Sequence, residues 1–168
     1  MIIGVIIGCA IVAVLGIGVL AGGAPFLPTR KIWINDAMKL ANINANDVIV
    51  DLGSGNGAVM KSALKCGAKR AIGYEINPFL VIWSRLKLWK FRGKYDVIAA
   101  DFFKIEFPRD TTIIYIFQVD KVLKKIPELI ADWHKKNPAR KIRIIVFGFD
   151  IPNKKPAREL NGMKLYEF

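Results

Sequence analysis

A chain of 168 residues has room for one compact domain and excludes a second catalytic one. Its 26 Lys and Arg against 14 Asp and Glu give a net charge of +12, which suits an anionic surface or partner, while 53% hydrophobic residues is high for a soluble domain. Cys9, Cys66 and the lone His134 lie far apart in sequence and offer neither a metal-ligand set nor a disulfide.

The apolar excess sits at the start. No Asp, Glu, Lys or Arg occurs from Met1 to Thr29, and the run IIGVIIGCAIVAVLGIGVLAGGA predicts a transmembrane helix over residues 1–24. A helix of about 20 such residues covers the ~30 Å hydrocarbon core of a bilayer. A cleaved signal peptide would carry a basic leading region and a shorter apolar stretch. Arg30, Lys31 and Lys39 follow the run and no Lys or Arg precedes it, so a single-pass topology with the domain on the cytoplasmic side is expected. Every charge lies from Arg30 onward, so the basic surface belongs to the domain. Beside a bilayer it would attract anionic lipid, although a solvated basic face accounts for the same charge.

Residues 25–45 form a junction, in which PFLPT breaks the helix and Ile32 to Ile43 predicts an amphipathic lead-in helix with Ile32, Ala37, Leu40 and Ala41 on one face. Asn44 to Asp47 is a turn. From residue 46 to 168 the pattern alternates: strand DVIVDLG, helix Ala58 to Cys66, strand RAIGYEI, helix Pro78 to Phe91, strands YDVIAAD and TTIIYIFQV, helix Lys121 to Lys136, and strand KIRIIVFGF. The loop IPNKKPAREL leads to MKLYEF, an antiparallel edge strand. Apolar strands separated by helices predict an α/β class, with a Rossmann-like, doubly wound, mostly parallel sheet of about six strands behind one transmembrane helix.

VIVDLGSGNGAV, Val48 to Val59, is a strand, an acidic residue, GxGxG and a helix. Gly53, Gly55 and Gly57 permit a tight turn and close approach to a ligand, with Ser54 in the same loop. Ala58 also completes a dinucleotide pattern, so NAD stands as a rival. Asp51 would repel a pyrophosphate but suits the cationic amino group of the methionine moiety of S-adenosylmethionine. Glu75, ending the second strand, is placed to take both ribose hydroxyls, a feature NAD enzymes share. Asp101 and Phe102, after the third strand, would supply an acceptor for the adenine amine and an apolar ring surface. Each has an ordinary reading as helix cap, core residue or surface charge. Together they converge where the strands of open α/β sheets end and ligands bind.

With these motifs the chain resembles the seven-strand-type methyltransferases, and among them the membrane-anchored lysine methyltransferases that modify the c subunit of ATP synthase and the adenine nucleotide translocase. The resemblance runs from Pro25 to the end, through PFLPT, DLGSGNG, GYEINPFLVIWSRLKLWK, ADFFK, IFQV, FDIPNKKP and KLYEF. GYEINPFLVIWSR is the most specific piece, since a generic cofactor site needs only its acidic residue. The resemblance implies methyl transfer from S-adenosylmethionine to a lysine of a membrane protein. It places Asp51, Gly53, Gly55, Glu75, Asp101 and Phe102 at cofactor-contacting positions and Pro28 and Thr29 near the active site; Ser54 and Gly57 are expected to bind the cofactor as members of the same loop. Asn56 departs from the family by standing where an acidic residue is usual.

Methyl transfer is an in-line displacement that needs alignment more than acid catalysis, and a lysine nucleophile must arrive uncharged. Thr29 and Gln118 are expected to orient the amine and Asp120 to take its proton, although capping the helix from Lys121 explains Asp120 equally well. Nucleic-acid amino-methylation is a rival suggested by the basic surface but not favoured, because FQVD replaces the (D/N)PPY element expected after the fourth strand. A membrane-lipid amine methyltransferase and a non-catalytic cofactor-binding membrane protein complete the alternatives.

Overall fold

The computed structural model describes residues 29–117, 124–136 and 141–168. The predicted transmembrane helix and the first four residues of the junction, 25–28, lie outside the described residues, as do Gln118 and Asp120. Among the described residues no helix is long and apolar enough to cross a membrane.

The lead-in helix, α1, spans Lys31–Ala41 and closes on Asn42, whose left-handed backbone (φ 46°) lets its N–H reach the Lys39 carbonyl. It buries Ile34, Ala37, Met38, Leu40 and Ala41. Ile32 was expected on that face but is 58% exposed, because the buried stripe starts its phase at Ile34. The strands are β1 (Val48–Leu52), β2 (Arg70–Glu75), β3 (Tyr95–Ala99), β4 (Ile113–Ile116), β5 (Arg143–Phe147), β6 (Arg158–Leu160) and β7 (Met163–Glu167). Between them lie α2 (Ala58–Lys65), α3 (Pro78–Leu88) and α4 (Ile126–Lys136), with 3-10 turns at Trp89–Phe91 and Phe102–Lys104.

All seven strands join one sheet in the order β3-β2-β1-β4-β5-β7-β6. The first five run parallel, β7 is antiparallel to β5, and β6 is antiparallel to β7. The seventh strand corrects the expectation of about six. Arg158–Leu160 read as the end of a loop, yet Asn161 and Gly162, both at positive φ (50° and 81°), form a two-residue hairpin turn that folds β6 onto β7. MKLYEF is therefore an inner strand, not the edge. The last helix also differs: Lys124 and Lys125 form a turn and helix begins at Ile126, while residues 121–123 are outside the described set.

Both sheet faces are covered, so β1 is buried along its whole length instead of alternating. One face carries Ile49, Ile113 and Ile145 against Ala37, Leu40, Met60, Ala63, Val81 and Leu88 of α1, α2 and α3. The other carries Val48, Val50, Ile114 and Ile144 against Phe102, Phe107, Ile126, Ile130 and Trp133. At the amino ends of the strands, Arg143 pairs with Asp47 and donates to the Ala41 carbonyl, and Thr112 Oγ1 donates to Asp47 at 2.9 Å. That clasp fixes α1 to the sheet at the end opposite the glycine loop.

Candidate functional site

β1 ends in Asp51 and Leu52 and passes into Gly53–Gly57, where Gly53, Gly55 and Gly57 all adopt positive φ (79°, 53° and 69°). The loop folds back onto its neighbours. The N–H groups of Gly53 and Ser54 both donate to the Tyr74 carbonyl, at 2.9 and 3.0 Å, and that of Gly57 donates to Ser54 at 2.8 Å. The Gly55 N–H donates to Glu75 Oε2 at 2.8 Å, and that of Ala58 to Asn56 Oδ1 at 3.2 Å. A pyrophosphate cradle needs such amides pointing at the ligand. Here five of them are committed within the protein, and two carboxylates flank the turn.

Asp51, buried on β1, lies in register with Gly73 on β2 and Tyr115 on β4. Burial, reinforced by the negative charge of Glu75, pushes its carboxyl up to about 8. Burial and then the Asp51 charge raise the Tyr115 phenol as well. Thr29 lies beside that hydroxyl and opposes the rise, but no hydrogen bond of good geometry joins them. Asp51 Oδ2, Ser54 Oγ and the Tyr115 hydroxyl are thus buried without hydrogen-bond partners. Orphaned polar atoms carry a desolvation penalty that a polar ligand relieves. A carboxylate, a hydroxyl and a phenol fit the amino and carboxyl groups of the methionine moiety of S-adenosylmethionine.

Glu75 ends β2, with Oε2 on Gly55 and Oε1 accepting from the Asn77 N–H at 2.8 Å. Each oxygen keeps a second acceptor site, so the side chain is preset for two ribose hydroxyls. Asn77 then caps α3, its Oδ1 accepting from Phe79 N–H at 3.0 Å, with Pro78 at the first helical position. Two features fix the loop from beneath. Ser84 Oγ, fully buried on α3, donates to the Gly55 carbonyl at 2.7 Å. Gly73 is required by close approach, since a Cβ there would stand 2.5 Å from Met60 Sδ and 2.6 Å from Ser54 Oγ.

The third strand end is different in character. Asp101 accepts from Phe103 N–H at 3.0 Å and caps the short turn that follows, with Lys104 Nζ at 3.7 Å. Phe102 is 9% exposed and packs on Phe103, ring centroids 4.5 Å apart, among the core residues of the second sheet face. Both residues stand at the carboxyl end of β3, where their ordinary structural roles are filled. Near the ends of β4 and β5, Trp33 of α1 meets Phe147 at 4.4 Å and Phe117 at 5.9 Å, and the Arg30 guanidinium lies 5.5 Å over the Trp33 ring. Thr29, close to the Tyr115 hydroxyl, directly precedes Arg30 of this cluster. Sequence reasoning gave no site role to Ser84, although it lies within GYEINPFLVIWSR, or to Tyr115 in TTIIYIFQV. Asn77-Pro78, a cap followed by proline, was the available signal for the α3 side of the site.

Residues 51–158, which hold all of these loop and strand-end residues, match the ANTKMT methyltransferase domain. The chain belongs to that family. Among curated relatives of the family domain, it is 28% identical over 134 residues to the Rattus norvegicus lysine N-methyltransferase named for the c-subunit of ATP synthase, covering 79% of this chain and 59% of that protein. It is 35% identical over 82 residues to the adenine nucleotide translocase lysine N-methyltransferase of Mus musculus, covering 48% and 35%. The chain thus spans less than two thirds of the length of these relatives. The crystal structure of an RNA methyltransferase from Salinibacter ruber in complex with S-adenosyl-L-homocysteine superposes with a TM-score of 0.70 at 24% identity, covering 84% of this chain and 92% of that one, which places the family domain on a methyltransferase fold.

Proposed function

We propose that the chain is an S-adenosylmethionine-dependent methyltransferase that modifies a lysine side chain of a membrane or membrane-proximal protein. The observation that carries this reading is the buried Asp51 carboxyl, its Oδ2 without a hydrogen-bond partner, just before a loop in which five backbone amides are already committed. That arrangement suits an ammonium and a sulfonium far better than a pyrophosphate. The lysine acceptor is supported by the names of the relatives, which are lysine N-methyltransferases.

When bound, S-adenosylmethionine supplies an electrophilic methyl carbon, to which the lysine nitrogen bonds as the carbon–sulfur bond breaks. The chain's own residues do the placing. Asp51, Ser54 and Tyr115 hold the methionine end, and Glu75 holds the ribose. Asp101 and Phe102 border the base once Asp101 turns from its capping role. Thr29, beside Tyr115, orients the incoming amine from the mouth. Gln118, by its place in the sequence two residues after Ile116, would share that task, and Asp120 would accept the amine proton. The apolar, charge-free residues 1–24 act as a single-pass anchor, with Arg30, Lys31 and Lys39 keeping the domain on the cytoplasmic side.

Incubation with methyl-labelled S-adenosylmethionine and membranes tests the proposal. Label should enter protein and be recovered as methylated lysine. Label recovered in lipid or nucleic acid, or none despite retained cofactor binding, would overturn it.

A further inference from the structure

Helix α3 is apolar on both of its faces. Val81, Ser84 and Leu88 point inward to the sheet and the glycine loop. On the outward side, at spacings of three and four, Phe79, Ile82, Trp83 and Leu86 are 48%, 57%, 62% and 65% exposed. The stripe continues through Trp89 on the following 3-10 turn, with Ile98 exposed on the neighbouring edge strand. A surface helix of a water-soluble domain carries polar residues there, so a contiguous aromatic and aliphatic stripe marks a surface meant to be covered.

The charges beside the stripe identify what covers it. From Pro78 to Lys94 there is no acidic residue, while Arg85, Lys87, Lys90, Arg92 and Lys94 lie within or just after the helix. Lys90 Nζ stands 5.7 Å from the Trp89 ring centre. The nearest carboxylate on the neighbouring strand, Asp96 of β3, shares a groove with Ile98 and with Arg85 and Arg92, which outnumber its charge. Tryptophan and leucine flanked by lysine and arginine is the composition of a helix lying in a membrane interface, rings at headgroup depth and cations on lipid phosphates. A second copy of the chain would bring the same positive rim and be repelled. Residues 1–29 carry no charged side chain and would leave the rim unmatched.

We propose that the outer face of α3, through Phe79, Ile82, Trp83, Leu86 and Trp89, is a docking surface for an anionic lipid bilayer. Because the inner face of the same helix holds Gly55 through Ser84, docking sets the glycine loop about one helix diameter, ~10 Å, from the lipid surface. This contact is independent of the methyl-transfer reading, and its test involves no turnover.

The full chain is reconstituted into phosphatidylcholine–phosphatidylserine vesicles containing brominated lipid, and tryptophan fluorescence is read. Bromolipid should quench the wild type, and the quenched share should fall by at least half in Trp83→Phe/Trp89→Phe, which retains the half-buried Trp33 and buried Trp133. In Ile82→Glu/Leu86→Glu, whose side chains are exposed and whose melting temperature should be unchanged, quenching of Trp83 and Trp89 should be lost. Omitting phosphatidylserine should weaken quenching. The proposal is overturned if bromolipid does not quench, if the tryptophan replacements leave quenching unchanged, or if Trp83 and Trp89 resist aqueous acrylamide before lipid is added, which would mean that protein already covers them.

Discussion

The Ser84 hydroxyl donates to the Gly55 carbonyl at 2.7 Å, which latches α3 to the middle of the glycine loop. Gly57 accommodates that latch, since a Cβ on it would come within 3.2 Å of Ser84 Cβ while its own φ is +69°. The loop is therefore held from one side by a helix and from the other by Glu75.

Replacing Ser84 with Ala leaves a buried carbonyl without its donor, which costs about 1–3 kcal/mol of stability. The expected outcome is a lower melting temperature together with weaker S-adenosylmethionine binding, read by calorimetry on the same samples. A stability loss with unchanged affinity would mean that the latch holds the helix and not the loop.

Protonation of Asp51 makes both stability and binding depend on pH. Its carboxyl titrates near 8 in the folded chain against 3.8 ordinarily, so the folded state holds more protons between those values. The stabilising contribution is fully present below about pH 4 and is lost as pH rises through about 8. Asp51→Asn should remove this decline. A cationic ligand group favours the carboxylate, so binding near neutral pH should release a proton, detected as a dependence of the binding enthalpy on buffer ionisation. Asp51→Asn should show none.

Glu75 bears on the same titration. Its charge is the second cause, after burial, of the raised Asp51 carboxyl. Glu75→Gln should lower the Asp51 midpoint from about 8 while weakening cofactor binding. Glu75→Ala should nearly abolish binding in a chain that still folds, with about 1–3 kcal/mol lost for each backbone amide left unpaired at Gly55 and Asn77. An unmoved Asp51 midpoint in the glutamine variant would show that the two carboxyl groups do not interact.

Gly73→Ala addresses the packing beneath the loop. The added methyl would stand 2.5 Å from Met60 Sδ and 2.7 Å from Ser54 Cβ, and overpacking of this kind costs about 1–3 kcal/mol. Met60 ends in a flexible thioether and can yield, but Ser54 is anchored through its N–H on Tyr74. The substitution should therefore reduce cofactor affinity as well as the melting temperature.

Much of this architecture was legible in the sequence, because buried parallel strands write continuous apolar runs and glycine turns are punctuated by residue type. Asp51, Glu75 and the three glycines followed from position relative to those strands. β6 was not found, because two exposed residues and one half-buried residue make no pattern, although the Asn161-Gly162 turn beside them was a readable signal. Ser84 and Tyr115 escaped for another reason. Their roles depend on register, which brings Tyr115 opposite Asp51 and Ser84 beneath Gly55, and no local spacing encodes a contact 29 or 64 residues away.

Tyr115→Phe separates structure from binding most cleanly. The hydroxyl is buried without a hydrogen-bond partner, so deleting it should leave stability unchanged or raise it by up to about 1 kcal/mol. If the hydroxyl instead awaits the methionine end of the cofactor, its loss should weaken S-adenosylmethionine by roughly tenfold, the equivalent of about 1.4 kcal/mol. Phenylalanine keeps the ring in the core beside Ile113 and Ile145, which confines the change to one polar atom. Thermal melts and calorimetric titration of the same preparation give both readings. A variant that melts lower and binds as well as the wild type would assign the hydroxyl to the fold, and Asp51 and Ser54 alone would then hold the methionine end.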